Sequence, residues 1–226
     1  MAKYKLVVLD MAGTTVVDKG NVAAAFIEAF QFHGIKLGKE EVNFVMGWRK
    51  IDAITKLLTD QKKTGIVGGP ELINSIHTRF ENNMVAFYKA DPDLAPLPYA
   101  EELFSKLRSH GVKVGLNTGF TKPIAQTIVD RLNWNDKIDV MVASDEVPEG
   151  RPYPYMIEKM KALFGVENNA EVVKVGDTEV DVQEGRNAQC GLVVSVTTGA
   201  YTKEQLASYQ PDEIIDSLAA LEPMIL

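Results

Sequence analysis

The sequence predicts an α/β fold: a Rossmann-like, doubly wound parallel sheet interrupted after its first strand by an all-helical insert. Three observations carry this. Leu6-Val-Val-Leu-Asp10 is a short apolar run ending in an acid and a glycine turn, the pattern of a central strand buried on both faces. From Tyr99 onward, apolar strand runs alternate with helical patterns of about 10 to 15 residues, the mark of a parallel sheet. Between these two parts the periodicity is helical throughout.

In chain order, Asn21 is expected to cap a helix reaching His33, with Phe26, Ile27 and Phe30 on its buried side and Gly34 ending it. Gly47 precedes a second helix over Trp48–Thr59. Lys62–Pro70, with three glycines, reads as a loop, and a third helix covers Glu71–Lys89. Asp91–Pro98, with three prolines, is a connector. Then follow helix Ala100–Ser109, strand Val112–Leu116, helix Lys122–Leu132 and strand Ile138–Val142. Helix Pro154–Phe164, strand Glu171–Val175, helix Val180–Ala188 and strand Leu192–Val196 continue the alternation, and a last helix covers Pro211–Leu221. The expected division is residues 1–17 and 95–226 as the core, and 18–94 as the helical domain.

Composition narrows the function. A net charge of −7 without a basic cluster argues against nucleic acid or an anionic membrane as partner. No stretch approaches the run of about 18 apolar residues that a membrane helix needs, and the start does not resemble a signal peptide. Cys190 is the only cysteine, so a cytoplasmic location is expected, with Cys190 structural. His33, His77 and His110 share no metal-ligand spacing.

In a parallel sheet the carboxyl ends of the strands share one edge, so groups remote in sequence converge there. At those ends stand Asp10, Asn117-Thr118-Gly119, and Gly176-Asp177-Thr178-Glu179-Val180-Asp181, with Gly150-Arg151-Pro152 at the foot of a helix. Each alone could be a cap or a surface residue. Together, Asp10, Asp177 and Asp181 form a hard oxygen set suited to Mg²⁺, because three unneutralised carboxylates would repel one another.

In this order the residues resemble the four motifs of the haloacid dehalogenase superfamily. The resemblance implies a nucleophile at Asp10, a hydroxyl at Thr118, a basic residue at Arg151 and metal acids at Asp177 and Asp181, with the Ala12 carbonyl, Asp10 and Asp177 as ligands and Asp181 either a further ligand or a support behind them. Met11, Gly13, Thr14 and Gly119 would bind phosphoryl oxygens, and the insert would be a helical cap. The segment Gly185–Gly191 also matches the superfamily.

Two departures refine this. Phosphatases of the superfamily carry a second aspartate two residues after the nucleophile as general acid, and here that residue is Ala12. The Asp-x-Ala-Gly-Thr opening and Gly150–Pro154 resemble instead the phosphonoacetaldehyde hydrolase (phosphonatase) branch, where a cap lysine forms a Schiff base with an aldehyde and no such acid is needed. Its Met-Gly-x-x-Lys-x-Asp segment is matched by Met46–Asp52, which makes Lys50 the amine and puts Met46 and Trp48 on the cap side. The branch usually has a histidine three residues after that lysine; here it is Ala53, so proton transfer would need water or a residue such as His33 or His77.

Periodicity supports Lys50 independently. At 100° per residue it falls among Ile51, Ala53, Ile54, Leu57 and Leu58, opposite Arg49, Asp52, Thr55, Lys56 and Thr59. Burial, a helix start and neighbouring Arg49 would each lower its pKa. The alternative is a lysine snorkelling from a loop. The expectation is a Mg²⁺-dependent hydrolase with an aspartyl-phosphoryl intermediate, acting on a small phosphonate of the phosphonoacetaldehyde type. The alternatives are a phosphatase for a small phosphate monoester and a non-catalytic phosphate-binding protein. The resemblance also implies a possible homodimer.

Overall fold

The computed structural model describes residues 3–61 and 69–226. Six parallel strands form one sheet in the order β3-β2-β1-β4-β5-β6: β1 Leu6–Asp10, β2 Lys113–Thr118, β3 Val140–Ala143, β4 Val172–Gly176, β5 Leu192–Val196 and β6 Glu213–Ile215. The first strand lies at the centre, with Asp10 opposite Asn117 on β2 and Leu9 opposite Val175 on β4. Its alternation explains the apolar run. Val7 and Leu9 join the larger apolar cluster on one face, while Leu6 and Val8 join a second cluster with Met156, Ile157 and Met160 on the other.

Among the described residues, four α-helices lie in the chain between β1 and the rest of the sheet: α1 Asn21–Phe32, α2 Lys39–Phe44, α3 Lys50–Gln61 and α4 Pro70–Ala90. Their apolar stripes meet at Phe26 and Phe80, whose ring centroids are 4.5 Å apart, both rings fully buried. Truncating such a ring to alanine typically costs about 3–5 kcal/mol. The outgoing and returning connections run side by side: Val17 N–H donates to the Ala95 carbonyl at 3.1 Å, and Leu97 N–H to that of Thr15 at 2.8 Å. Arg131 pins the returning leg by donating to the carbonyls of Tyr88 and Asp91 at 2.9 and 2.8 Å. The helices after the insert are α5 Ala100–Ser109, α6 Lys122–Arg131, α7 Tyr155–Phe164, α8 Glu179–Asn187, α9 Lys203–Ser208 and α10 Glu222–Ile225.

Three expectations about elements need correction. Asn21 opens α1 but does not cap it; Gly20 is the cap residue, and the Asp18 carboxylate accepts from the N–H groups of both Gly20 and Asn21 at 2.9 Å. The second expected helix starts at Lys50 rather than Trp48, and the six-residue α2 precedes it. The expected helix Pro211–Leu221 is instead the short strand β6 followed by a 3-10 turn at Leu218–Leu221, with α9 before it. The Lys62–Pro70 loop lies mostly outside the described residues, and Pro70 opens α4.

Candidate active site

Parallel strands deliver Asp10, Thr118 and Asp177 to one edge of the sheet, and all three line one cavity of about 180 Å³. The turn after β1 is built by its own hydrogen bonds. The Met11 carbonyl accepts from the N–H groups of Thr15 and Val16 at 2.9 and 2.8 Å, while the Thr15 hydroxyl donates to the Asp10 carbonyl at 2.9 Å. Gly13, at φ 89°, lets this turn lie against Asp177; a Cβ there would come 2.8 Å from its Oδ2. Asp177 is held by the Thr14 hydroxyl at 3.0 Å and the Ala200 N–H at 2.8 Å.

Beneath Asp10 lies a buried charge network. Arg151 meets Asp10 at 2.5 Å, Asp181 at 2.9 Å and Glu184 at 3.3 Å. Its Nε and Nη1 are poorly aligned for hydrogen bonds, so those last two are charge contacts; Nη2 does donate to Asn117 Oδ1 at 2.9 Å. Lys174, fully buried in mid-strand on β4, reaches the same groups: Asn117 at 2.7 Å, Glu184 at 2.9 Å and Asp181 at 3.0 Å. Asn117 closes the ring by donating to both Glu184 oxygens at 2.9 Å.

The electrostatics separate the three aspartates. Burial, opposed by Arg151, raises the Asp10 carboxyl. Burial and then the charges of Asp10 and Asp181 push Asp177 well above the usual carboxylate range. Burial also works to raise Asp181, but Arg151 and Lys174, helped by the Thr178 hydroxyl at 2.5 Å, hold it below its ordinary value.

Of the two places expected for Asp181, as a further ligand or as a support behind the ligands, the geometry favours the second. Both Asp181 oxygens are engaged, Oδ1 by the two cations and Oδ2 by the Thr178 hydroxyl and N–H, so this side chain sits behind the site. Among the described residues no three His, Cys, Asp or Glu side chains form a metal-ready group. Asp10, Ala12 and Asp177 line the cavity together with Thr118 and Thr178, and Asp18 lies in the same lining. A buried Asp177 carboxyl pushed up by burial and by the Asp10 charge suits a hard cation, and a site with few protein ligands suits Mg²⁺, which retains water.

The opposite wall comes from the helical insert. Met46, Gly47 and Lys50 line the cavity, and Lys50 is only 3% exposed. Its Nζ lies 5.3 Å from the Phe120 ring centre and 5.6 Å from that of Phe26, with the Trp48 carbonyl at 3.2 Å as its hydrogen-bond acceptor. Burial, opposed by the Asp10 charge, brings the amine down to about 8. Ala53, Ile54, Leu57 and Leu58 are buried beside it, as the periodicity requires. The insert is pressed onto the sheet edge. A Cβ on Gly119 would collide with the Trp48 and Gly47 carbonyls, and one on Gly150 would come 2.6 Å from Arg49 Cβ. Arg49 donates to the Pro148 carbonyl at 2.8 Å.

Several expected binders sit elsewhere. The Met11 side chain is wholly buried in the core, Thr14 points to Asp177, and Trp48 contributes its backbone rather than a wall. Gly13 and Gly119 do line the cavity, whereas Arg151 acts on Asp10 from beneath. Neither His33 nor His77 lines it, and His33 lies instead beside Ser75. Sequence reasoning put Asn117 at its strand end without a partner and missed Lys174 and Glu184. A lysine inside Val172-Val-Lys-Val175, a strand expected to be buried on both faces, was the available signal.

The model of the haloacid dehalogenase-like hydrolases matches residues 4–189, which span the sheet edge and the insert alike. The chain belongs to that family. Within it the chain falls in the phosphonatase-like branch. It is 32% identical over 228 residues to phosphonoacetaldehyde hydrolase of Bacillus cereus (strain B4264), covering 96% of this chain and 86% of that one. It is 33% identical over 225 residues to a bifunctional phosphonoacetaldehyde hydrolase/aminoethylphosphonate transaminase of Clostridioides difficile, covering 94% of this chain and 35% of that one. Among solved structures, a phosphonoacetaldehyde hydrolase-like protein from Oleispira antarctica superposes with a TM-score of 0.83 at 25% identity, covering 98% of this chain and 91% of that one. A hydrolase from Pseudomonas syringae shares the fold, with a TM-score of 0.86 at 19% identity over 98% and 100% of the two chains. No described helix is long and apolar enough to cross a membrane.

Proposed function

We propose that this hydrolase cleaves the carbon–phosphorus bond of a small phosphono-aldehyde of the phosphonoacetaldehyde type. The observation that carries the reading is the placement of a buried amine, Lys50, across a cavity of about 180 Å³ from a buried carboxylate, Asp10. Lys50 would condense with the aldehyde carbonyl, and the resulting iminium would accept the electron pair of the breaking bond. Asp10 would attack phosphorus to give an aspartyl-phosphoryl intermediate that water opens. Asp10, Asp177 and the Ala12 carbonyl would hold Mg²⁺, which when bound neutralises phosphoryl charge. Thr118, Gly13 and the amides after Asp10 would receive phosphoryl oxygens, while Arg151 aligns Asp10. With the electron sink supplied by Lys50, the acid that Ala12 replaces is not needed. Residues 18–94 would act as the cap that shuts water out.

The test is release of inorganic phosphate and acetaldehyde from phosphonoacetaldehyde by the wild-type protein with Mg²⁺, and its loss in Lys50→Ala. Turnover of phosphate monoesters by Lys50→Ala at the wild-type rate, with no cleavage of the phosphonate by either protein, would replace this reading with that of a phosphatase. Binding of phosphate without turnover of any substrate would favour a binding protein.

A further inference from the structure

The proposed reaction requires protons to move at the amine end of the cavity, and the two usual carriers are absent: Ala12 and Ala53 carry no titratable group. We propose that Asp18 moves protons between the Lys50 amine and the substrate carbonyl oxygen; this rests on the amine reading of the site. Three carboxylates line the cavity, and two of them, Asp10 and Asp177, belong to the phosphoryl end. Asp18 is the third, on the connection into α1. Its Oδ1 accepts from the N–H groups of Gly20 and Asn21 at 2.9 Å, which fixes the carboxylate, while no donor among the described residues is bonded to Oδ2.

The groups that face Asp18 are few. Its charge is felt by Lys50 on α3 and by the buried Tyr88 on α4, and Asp10 and Asp177 complete the acidic lining. Adjacent Lys19 turns outward to Asp93 at 3.6 Å. When a lysine ammonium and an aldehyde become an iminium and water, two protons leave nitrogen and both end on the departing oxygen. Asp18 accepts each from Nζ and donates it to that oxygen, finishing as the carboxylate it began as. The carbon–oxygen bond breaks, the carbon–nitrogen double bond forms, and no other reactant is consumed.

Asp18→Asn separates this role from the structural one, because the amide oxygen can still accept from Gly20 and Asn21 and hold the start of α1. The measurement is the rate at which borohydride traps phosphonoacetaldehyde on the protein, followed against pH with Mg²⁺ present. The expected result is that Asp18→Asn melts with the wild type, keeps the rise in rate as the Lys50 amine fills, traps about 10²-fold more slowly at each pH, and is accelerated by added acetate where the wild type is not. Equal trapping rates would overturn the inference, as would slower trapping that added acetate does not accelerate, which marks a merely structural effect. No trapping by the wild type would instead overturn the amine reading on which the inference stands.

Discussion

The two walls of the cavity are built on opposite principles. On the sheet edge, Asp10 sits over Arg151, Lys174, Asn117, Asp181 and Glu184, all buried and joined by ion pairs and hydrogen bonds. On the insert side one amine stands between two aromatic rings with a single carbonyl as acceptor. Dense pairing holds charges fixed, as transfer of a charged phosphoryl group requires. Isolation in apolar surroundings does the reverse and makes the uncharged amine accessible near neutral pH. One cavity thus holds a preorganised electrostatic end and a nucleophilic end.

Breaking the comparison at its strongest point, Asp10→Asn is expected to lower phosphate release by on the order of 10⁴–10⁶-fold, measured at saturating substrate. Lys174→Met tests whether the network is held by pairing. It leaves Asp181 and Glu184 short of a buried cation and is expected to cost about 3–5 kcal/mol in urea denaturation.

The amine wall should respond with the opposite sign. A buried lysine lowered from 10.5 to about 8 costs about 3 kcal/mol when the unfolded chain carries the proton. Because the folded-state value is depressed, that cost is absent above about pH 10.5, grows as pH falls, and is complete below about pH 8. Lys50→Met should therefore be more stable than wild type at pH 7, by up to about 3 kcal/mol, and the advantage should vanish by about pH 10.5. The same variant should be inactive on the phosphonate. The wild-type rate of adduct formation should rise with pH through about 8, as the amine form fills.

The smallest effect is expected where the walls meet. Arg49→Ala removes the hydrogen bond to the Pro148 carbonyl, worth about 0.5–1.5 kcal/mol, and should raise KM several-fold with little change in melting temperature.

The sheet edge was legible because each strand end announces itself: an apolar run, then an acid or hydroxyl, then a glycine or a helix start. Its depth was not. Lys174 and Glu184 look like ordinary charged residues until the parallel register places them beneath Asp10 and Arg151, and the same burial favours the place behind the ligands for Asp181. Lys50 was legible from helical periodicity alone, although its helix begins two residues later than that periodicity suggests. Asp18 escaped because its neighbours Gly20 and Lys19 mark a turn, and only the folded connection turns its carboxylate toward the cavity. The misread carboxyl-terminal segment has a different cause. A three-residue edge strand, Glu213–Ile215, is too short for a period of two to show against a helical pattern.

The most direct measurement is the mass of the Lys50 peptide after borohydride reduction with phosphonoacetaldehyde and Mg²⁺. The account predicts a reduced two-carbon adduct on Lys50, an ethyl group in the wild type and a phosphonoethyl group, still carrying phosphorus, in Asp10→Asn. An unmodified Lys50, in a protein that nevertheless releases phosphate from this substrate, would contradict it.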